Sequence, residues 1–313
     1  MTRALVNCAS ATGWVAITAT GAWHHRAMTD EFELELADGR TLHVYDTWPS
    51  GSGAALTVFW HHGTPNSGAP PAPLFDTSAR LGIRWVSFDR PGYGGSTPLP
   101  DRTVGSAAAL VAAVADHLAI DHFAVMGHSG GGPHALGCAA LLPDRVVAAV
   151  AVASLAPYDS PGLDYFAGMA ASGVAALRAS AEGRTHKEAF EASGADYDPE
   201  FTDNDMAALR GEWTWLNDVV GPALAQGTGG LIADDLAYVA PWGFDPARIT
   251  APTLLVHGGC DRVVPPTHSE WLARHCPAMQ LRLSPGDGHL SVLRHASETL
   301  EWLVRSLDHS QDA

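Results

Sequence analysis

The chain has 313 residues, 46% of them apolar and 17% charged, which is enough apolar material for a sizeable core and rules out wholesale disorder. Its formal charge is −16, and Lys187 is its only lysine. Phosphate neutralisation needs clustered Lys and Arg, so a nucleic-acid partner is excluded, and an anionic membrane surface is a poor match.

Residues 1–27 form a mildly apolar stretch rich in Thr, Ala and Gly. Asn7, Thr12, Gly13, Thr18 and Thr20 deny it the clean apolar centre of a secretion signal. It reads as an N-terminal extension, Met28 is a second possible start, and the expected location is cytoplasmic. No apolar run approaches the ~20 residues of a membrane helix. Cys8, Cys138, Cys260 and Cys276 lie far apart, which fits neither a disulfide scaffold nor a zinc ribbon. Cys138 and Cys260 are expected to be core thiols.

Phe32, Leu34 and Leu36 alternate with polar residues, Asp38-Gly39 is a turn signal, and Leu42 and Val44 follow. That pattern predicts an antiparallel hairpin. Continuous apolar runs predict buried strands at Leu56–Trp60, Ile83–Phe88, Phe123–Met126, Val146–Ala153, Thr253–Val256 and Met279–Leu283. Helical spacing marks Leu74–Leu81, Val104–Leu118, Pro133–Leu142 and Ser291–Leu307. Residues 156–249 break this rhythm with helical segments, many glycines and no buried-strand run. The expected fold is α/β, a mostly parallel β-sheet flanked by helices, with an inserted helical cap. The division is 1–27 extension, 28–155 and 250–313 core, and 156–249 cap.

The strongest chemical signal is Gly127-His128-Ser129-Gly130-Gly131, a G-x-S-x-G between a predicted strand and a predicted helix. Its glycines permit a sharp turn that lifts Ser129 clear of the sheet. The same turn loosely fits a dinucleotide fingerprint, but the next strand ends Val152-Ala153-Ser154 without the acid that would hold a ribose. A nucleophilic serine needs a base and an orienting acid, here in the order Ser, Asp, His. Asp261 follows one late strand and His289 the last, where open α/β sheets place ligands. Asp287 is a competing carboxylate, two residues from the base.

The oxyanion donors are expected to be the N–H groups of Gly130 and of Thr64, in His61-His62-Gly63-Thr64-Pro65. Adjacent histidines chelate poorly, so no metal is expected. Asp89-Arg90-Pro91-Gly92-Tyr93-Gly94-Gly95-Ser96 reads as a loop bracing the active-site face. Trp213, Trp215, Tyr238 and Trp242 are candidate pocket walls. Arg178, Arg184 and Arg210 are candidates for binding a substrate carboxylate, though a solvated role is the commoner one for such residues.

Together these motifs resemble the α/β-hydrolase superfamily, from about Phe32 to the C-terminus. The resemblance implies a capped, cofactor-free serine hydrolase, similar to esterases and prolyl aminopeptidases. Dehalogenases and epoxide hydrolases of that fold carry Asp where this chain has Ser129. The leading expectation is hydrolysis of a carboxylic ester of a small, partly apolar molecule by a monomer or homodimer. Amide or aminoacyl-peptide, lactone and carbon–carbon bond hydrolysis would use the same residues. A non-catalytic binding protein and an oxidoreductase are the rival classes.

Overall fold

A computed structural model describes residues 29–47 and 53–310; the N-terminal extension, Met28 and Cys8 lie outside them. Its hairpin pairs β1 (Asp30–Glu35) antiparallel with β2 (Thr41–Asp46). Gly39, at φ +81°, turns the chain between them, a left-handed conformation that costs glycine little. The other strands are β3 (Leu56–His61), β4 (Ile83–Phe88), β5 (Phe123–His128), β6 (Val146–Val152), β7 (Thr253–Gly258) and β8 (Met279–Ser284). They form one eight-stranded sheet in the order β1-β2-β4-β3-β5-β6-β7-β8, parallel from β4 to β8.

The apolar runs explain the parallel part, because helices cover both faces and every position of β5 and β7 is buried. Strand β6 divides its side chains by the two-residue period of a strand. Ala149 and Ala151 face one apolar cluster, and Ala148, Val150 and Val152 face the other. The first cluster packs under α2 (Ser106–His117), α3 (Gly131–Leu141) and α9 (Thr267–His275). The second packs under α1 (Phe75–Leu81) and α10 (Ala296–Ser310).

Between β6 and β7 run α4 (Ala171–Ala181), α5 (Arg184–Ala192), α6 (Asp203–Arg210), α7 (Trp215–Ala223) and α8 (Gly229–Val239). Helix α6 starts with a capping box, in which Thr202 Oγ1 accepts from Asp205 N at 3.1 Å and Asp205 Oδ2 accepts from Thr202 N at 3.0 Å.

Two local expectations are corrected. Ser291–Leu307 is not one helix: a 3₁₀ turn covers Ser291–His295 and the α-helix begins at Ala296. The N–H groups of Leu290 and Ser291 donate to Asp205 of α6, which holds this entry turn apart from the helix. Cys260 is exposed, because it sits in the loop after β7, where its thiol donates to the Pro285 carbonyl. Cys138 is buried as expected. Among the described residues, no helix is long and apolar enough to cross a membrane.

Candidate active site

Strand β5 runs straight into the turn at Ser129, which has φ +54°, an unusual conformation for a residue with a side chain. Two hydrogen bonds hold it there: Ser129 N donates to Val152 O at 2.8 Å, and Gly132 N donates to Ser129 O at 2.9 Å. The flanking glycines are needed for close approach. A Cβ at Gly127 would collide with the Gly131 carbonyl, and one at Gly131 with the His61 carbonyl. Helix α3 starts here, so its free N–H groups and positive dipole end face the site.

The loops after β7 and β8 bring Asp261 and His289 to the same point. Ser129 Oγ is 2.8 Å from His289 Nε2, and His289 Nδ1 is 2.8 Å from Asp261 Oδ2. Asp261 Oδ1 accepts from the N–H groups of Val263 and Val264 at 2.8 and 2.9 Å. Burial alone would raise the Asp261 pKa. The His289 charge and the hydrogen bonds from His257 and His289 outweigh it and hold the acid below the usual carboxylate range. Asp287 is buried away from His289, bonded to Ser284 Oγ at 2.5 Å and beside His295 Nε2 and Arg294 Nε, each at 3.1 Å.

Thr64 and Gly130 are tied together by Tyr238 of α8, whose hydroxyl lies 2.9 Å from Gly130 O and 2.8 Å from Thr64 Oγ1. Thr64 Oγ1 donates to Asp234 Oδ2 at 2.6 Å. The same carboxylate receives Arg90 Nη2 at 2.6 Å, Arg102 Nη2 at 2.6 Å and Tyr93 OH at 2.8 Å. Arg90 also donates to the carbonyls of His62 and Gly63. The Asp89–Ser96 loop thus braces the Thr64 loop, and Asp89 secures it further by accepting from Gly68 N and Gly95 N.

Two cavities of about 260 Å³ each meet at Ser129, and Thr64, Tyr197 and Val263 border both. His289 and His128 border only the second. The first reaches between α5 and α8 and includes Tyr238. The other three aromatics line neither cavity, which corrects the pocket expectation. Trp213 and Trp215 pack with the cluster under α10, and Trp242 packs with the cluster under α2 and α3. Their large apolar area is spent joining helices to the sheet. Arg178, Arg184 and Arg210 border neither cavity either. Arg178 lies over the Phe166 ring, and Arg184 donates to the Pro100 carbonyl.

Several residues at the site carried no clear sequence signal. Asp205 and Asp234 are buried acids, and each ties one helix of this segment to one loop of the site. Thr202-x-x-Asp205 is a capping-box pattern, and Asp234-Asp235 is a pair of acids in an otherwise apolar helix. Those were the available cues. His128, inside the elbow motif, places Nε2 3.1 Å from His289 O.

Burial lowers the pKa of His128 to about 3 and of His134 and His268 to about 4, against an ordinary value of 6.5. His61 and His62 are also held well below it, again chiefly by burial. These rings stay neutral in the folded chain while the unfolded chain takes up protons below about pH 6.5. Stability is therefore complete above that pH and lost as pH falls, by about 1.4 kcal/mol per pH unit for each ring. Asp235, raised by burial to about 6, opposes one of them. Urea midpoints are expected to fall steeply between about pH 6.5 and pH 5; a flat profile there would contradict this.

A serine on a left-handed turn after a central parallel strand, with Asp and His after later strands in order, defines an α/β protein whose strand-to-helix elbow presents a serine to a histidine. The chain belongs to the family described as the alpha/beta hydrolase fold, whose model matches residues 57–296. No curated protein matches the sequence.

Solved structures resemble it throughout. An esterase from Thermogutta terrifontis, solved with malate bound, is 22% identical with a TM-score of 0.60, covering 90% of this chain and 98% of its own. The enol-lactonase of Burkholderia xenovorans is 20% identical with a TM-score of 0.63, covering 88% and 99%. An alpha/beta hydrolase fold protein from Chitinophaga pinensis is 18% identical with a TM-score of 0.67, covering 90% and 98%. At these identities the likeness is one of fold.

Proposed function

We propose that the protein is a serine hydrolase that cleaves a carboxylic ester through an acyl-enzyme. The observation that carries this reading is the continuous chain Ser129 Oγ to His289 Nε2 to Asp261, with both contacts at 2.8 Å. His289 removes the Ser129 proton as Oγ attacks the ester carbon. Asp261 holds the imidazole with Nε2 toward the serine and stabilises its charged form. The N–H groups of Gly130 and Thr64 receive the oxyanion. The tetrahedral intermediate collapses as His289 donates its proton to the leaving alkoxide, and water, deprotonated by the same ring, then releases the acid.

His289 must reach the leaving oxygen. The alcohol therefore departs through the cavity that His289 borders, and the acyl group occupies the cavity between α5 and α8. The enol-lactonase neighbour makes a cyclic ester a related candidate.

A fluorophosphonate probe is expected to label Ser129, and Ser129→Ala to abolish both labelling and p-nitrophenyl ester turnover. Wild-type turnover by that variant would overturn the reading.

A further inference from the structure

The wall of the acyl-side cavity is built from two helical faces. Helix α5 presents Lys187, Phe190 and Glu191, and α8 presents Leu231, Asp235 and Tyr238, both at helical spacing. Lys187 is fully buried, with Nζ 2.6 Å from Glu191 Oε1 and 2.6 Å from Asp235 Oδ2. Neither contact is aligned as a hydrogen bond, and Nζ itself is sealed from the cavity. The Phe190 ring closes another side of it, 5.3 Å from Nζ. The ammonium charge is thus consumed inside the wall. The Glu191 and Asp235 side chains keep 18% and 11% of their surface and both border the cavity, whereas the ammonium keeps none.

One cation against two carboxylates leaves a net negative wall in an otherwise apolar space bordered by Leu155, Met169 and Leu177. Asp196, exposed, adds another carboxylate, and among the described residues no arginine borders this cavity. Three ionisable groups held out of water are costly where plain apolar packing would close the wall. A further anion would sit in an unfavourable field within a chain already at −16. A donor with positive charge would fill the free lone pairs and bring the cluster to neutrality.

We propose that Lys187, Glu191 and Asp235 form a specificity subsite for the acyl group, one that selects an acyl chain ending in a protonated amine and rejects one ending in a carboxylate. The inference rests on Ser129 as nucleophile and on this cavity as the acyl side.

The test compares kcat/KM for p-nitrophenyl esters of hexanoic, ω-aminohexanoic and adipic acid, the last as its monoester. The amino ester is expected to exceed the adipate monoester by at least roughly tenfold, with hexanoate between them. In the double variant Glu191→Gln/Asp235→Asn, Lys187 remains as the lone charge of the cluster and the order is expected to invert. An unmodified protein that prefers the adipate ester, or an order that the variant leaves unchanged, overturns the subsite. Hexanoate turnover without amine preference sinks the subsite alone, whereas absent turnover with unlabelled Ser129 sinks the hydrolase reading. Calorimetric titration of the unmodified protein with hexylamine and with hexanoate decides the subsite independently of turnover or variant folding. Tighter binding of hexylamine supports it, and equal or tighter binding of hexanoate overturns it.

Discussion

Replacing Asp261 by asparagine is expected to lower kcat by about four orders of magnitude while KM moves only a few-fold. The carboxylate has two separate duties. Oδ1 is fixed by the Val263 and Val264 N–H groups, so Oδ2 is the atom left to meet His289 Nδ1. An asparagine that keeps its oxygen on the two backbone donors must turn its NH₂ toward His289. The ring then places its lone pair on Nδ1 and its proton on Nε2, where it can no longer accept from Ser129. Substrate binding is unaffected because Asp261 borders neither cavity. Steady-state kinetics on a p-nitrophenyl ester checks this, and a kcat within tenfold of the unmodified protein would contradict it. Asp287→Asn is the matched control. Its partners are Ser284, His295 and Arg294, so kcat is expected to stay near that of the unmodified protein.

Removing the Asp234 carboxylate, as Asp234→Ala, is expected to cost about 3–5 kcal/mol of stability. Arg90 and Arg102 each keep only 2% of their side-chain surface, and both would lose this buried counterion. Burial would raise the Asp234 pKa, but the Arg102 and Arg90 charges and the His134 ring beside it outweigh that and hold it well below the usual value. The urea midpoint reads the loss, and a shift worth under about 1 kcal/mol would contradict it. Activity is expected to fall as well. Thr64 Oγ1 loses its acceptor, and the loop that carries the Thr64 N–H, the proposed oxyanion donor, loses its tie to α8. One such donor is worth about 3 kcal/mol in the transition state, so partial misplacement corresponds to a ten- to hundred-fold drop in kcat. Thr64→Val, which keeps the N–H and loses only the tie, separates this effect from global stability.

The residues behind these two effects differ in how far the local sequence marks them. Ser129, Asp261 and His289 each stand in a short motif shortly after an apolar run, so strand pattern and turn chemistry mark them without any tertiary contact. Asp234 has no such setting. Its meaning comes from Arg90, 144 positions away, and Thr64, 170 positions away. Tyr238 does border a cavity, as its aromatic character suggests, but its bridging role is not legible in the sequence. It was one aromatic among four, and packing made it the bridge between Thr64 and Gly130 while it buried Trp213 and Trp242 elsewhere. Lys187 shows the same limit, since an i, i+4 pair with Glu191 on a polar helix reads as a surface ion pair until α8 lies against it.

By itself the sequence determined the parallel sheet, the elbow at Ser129 and the loops that carry Asp261 and His289. These depend on interactions within a few residues: two-residue and 3.6-residue periodicity, and glycines that let a turn form. Tertiary structure alone decided which helices face the cavities, which buried acids brace the loops of Thr64 and His289, and that the chain's single lysine is neutralised inside a pocket wall. Those outcomes turn on burial, which changes the energy of a charge by several kcal/mol and is set by segments far apart in the chain.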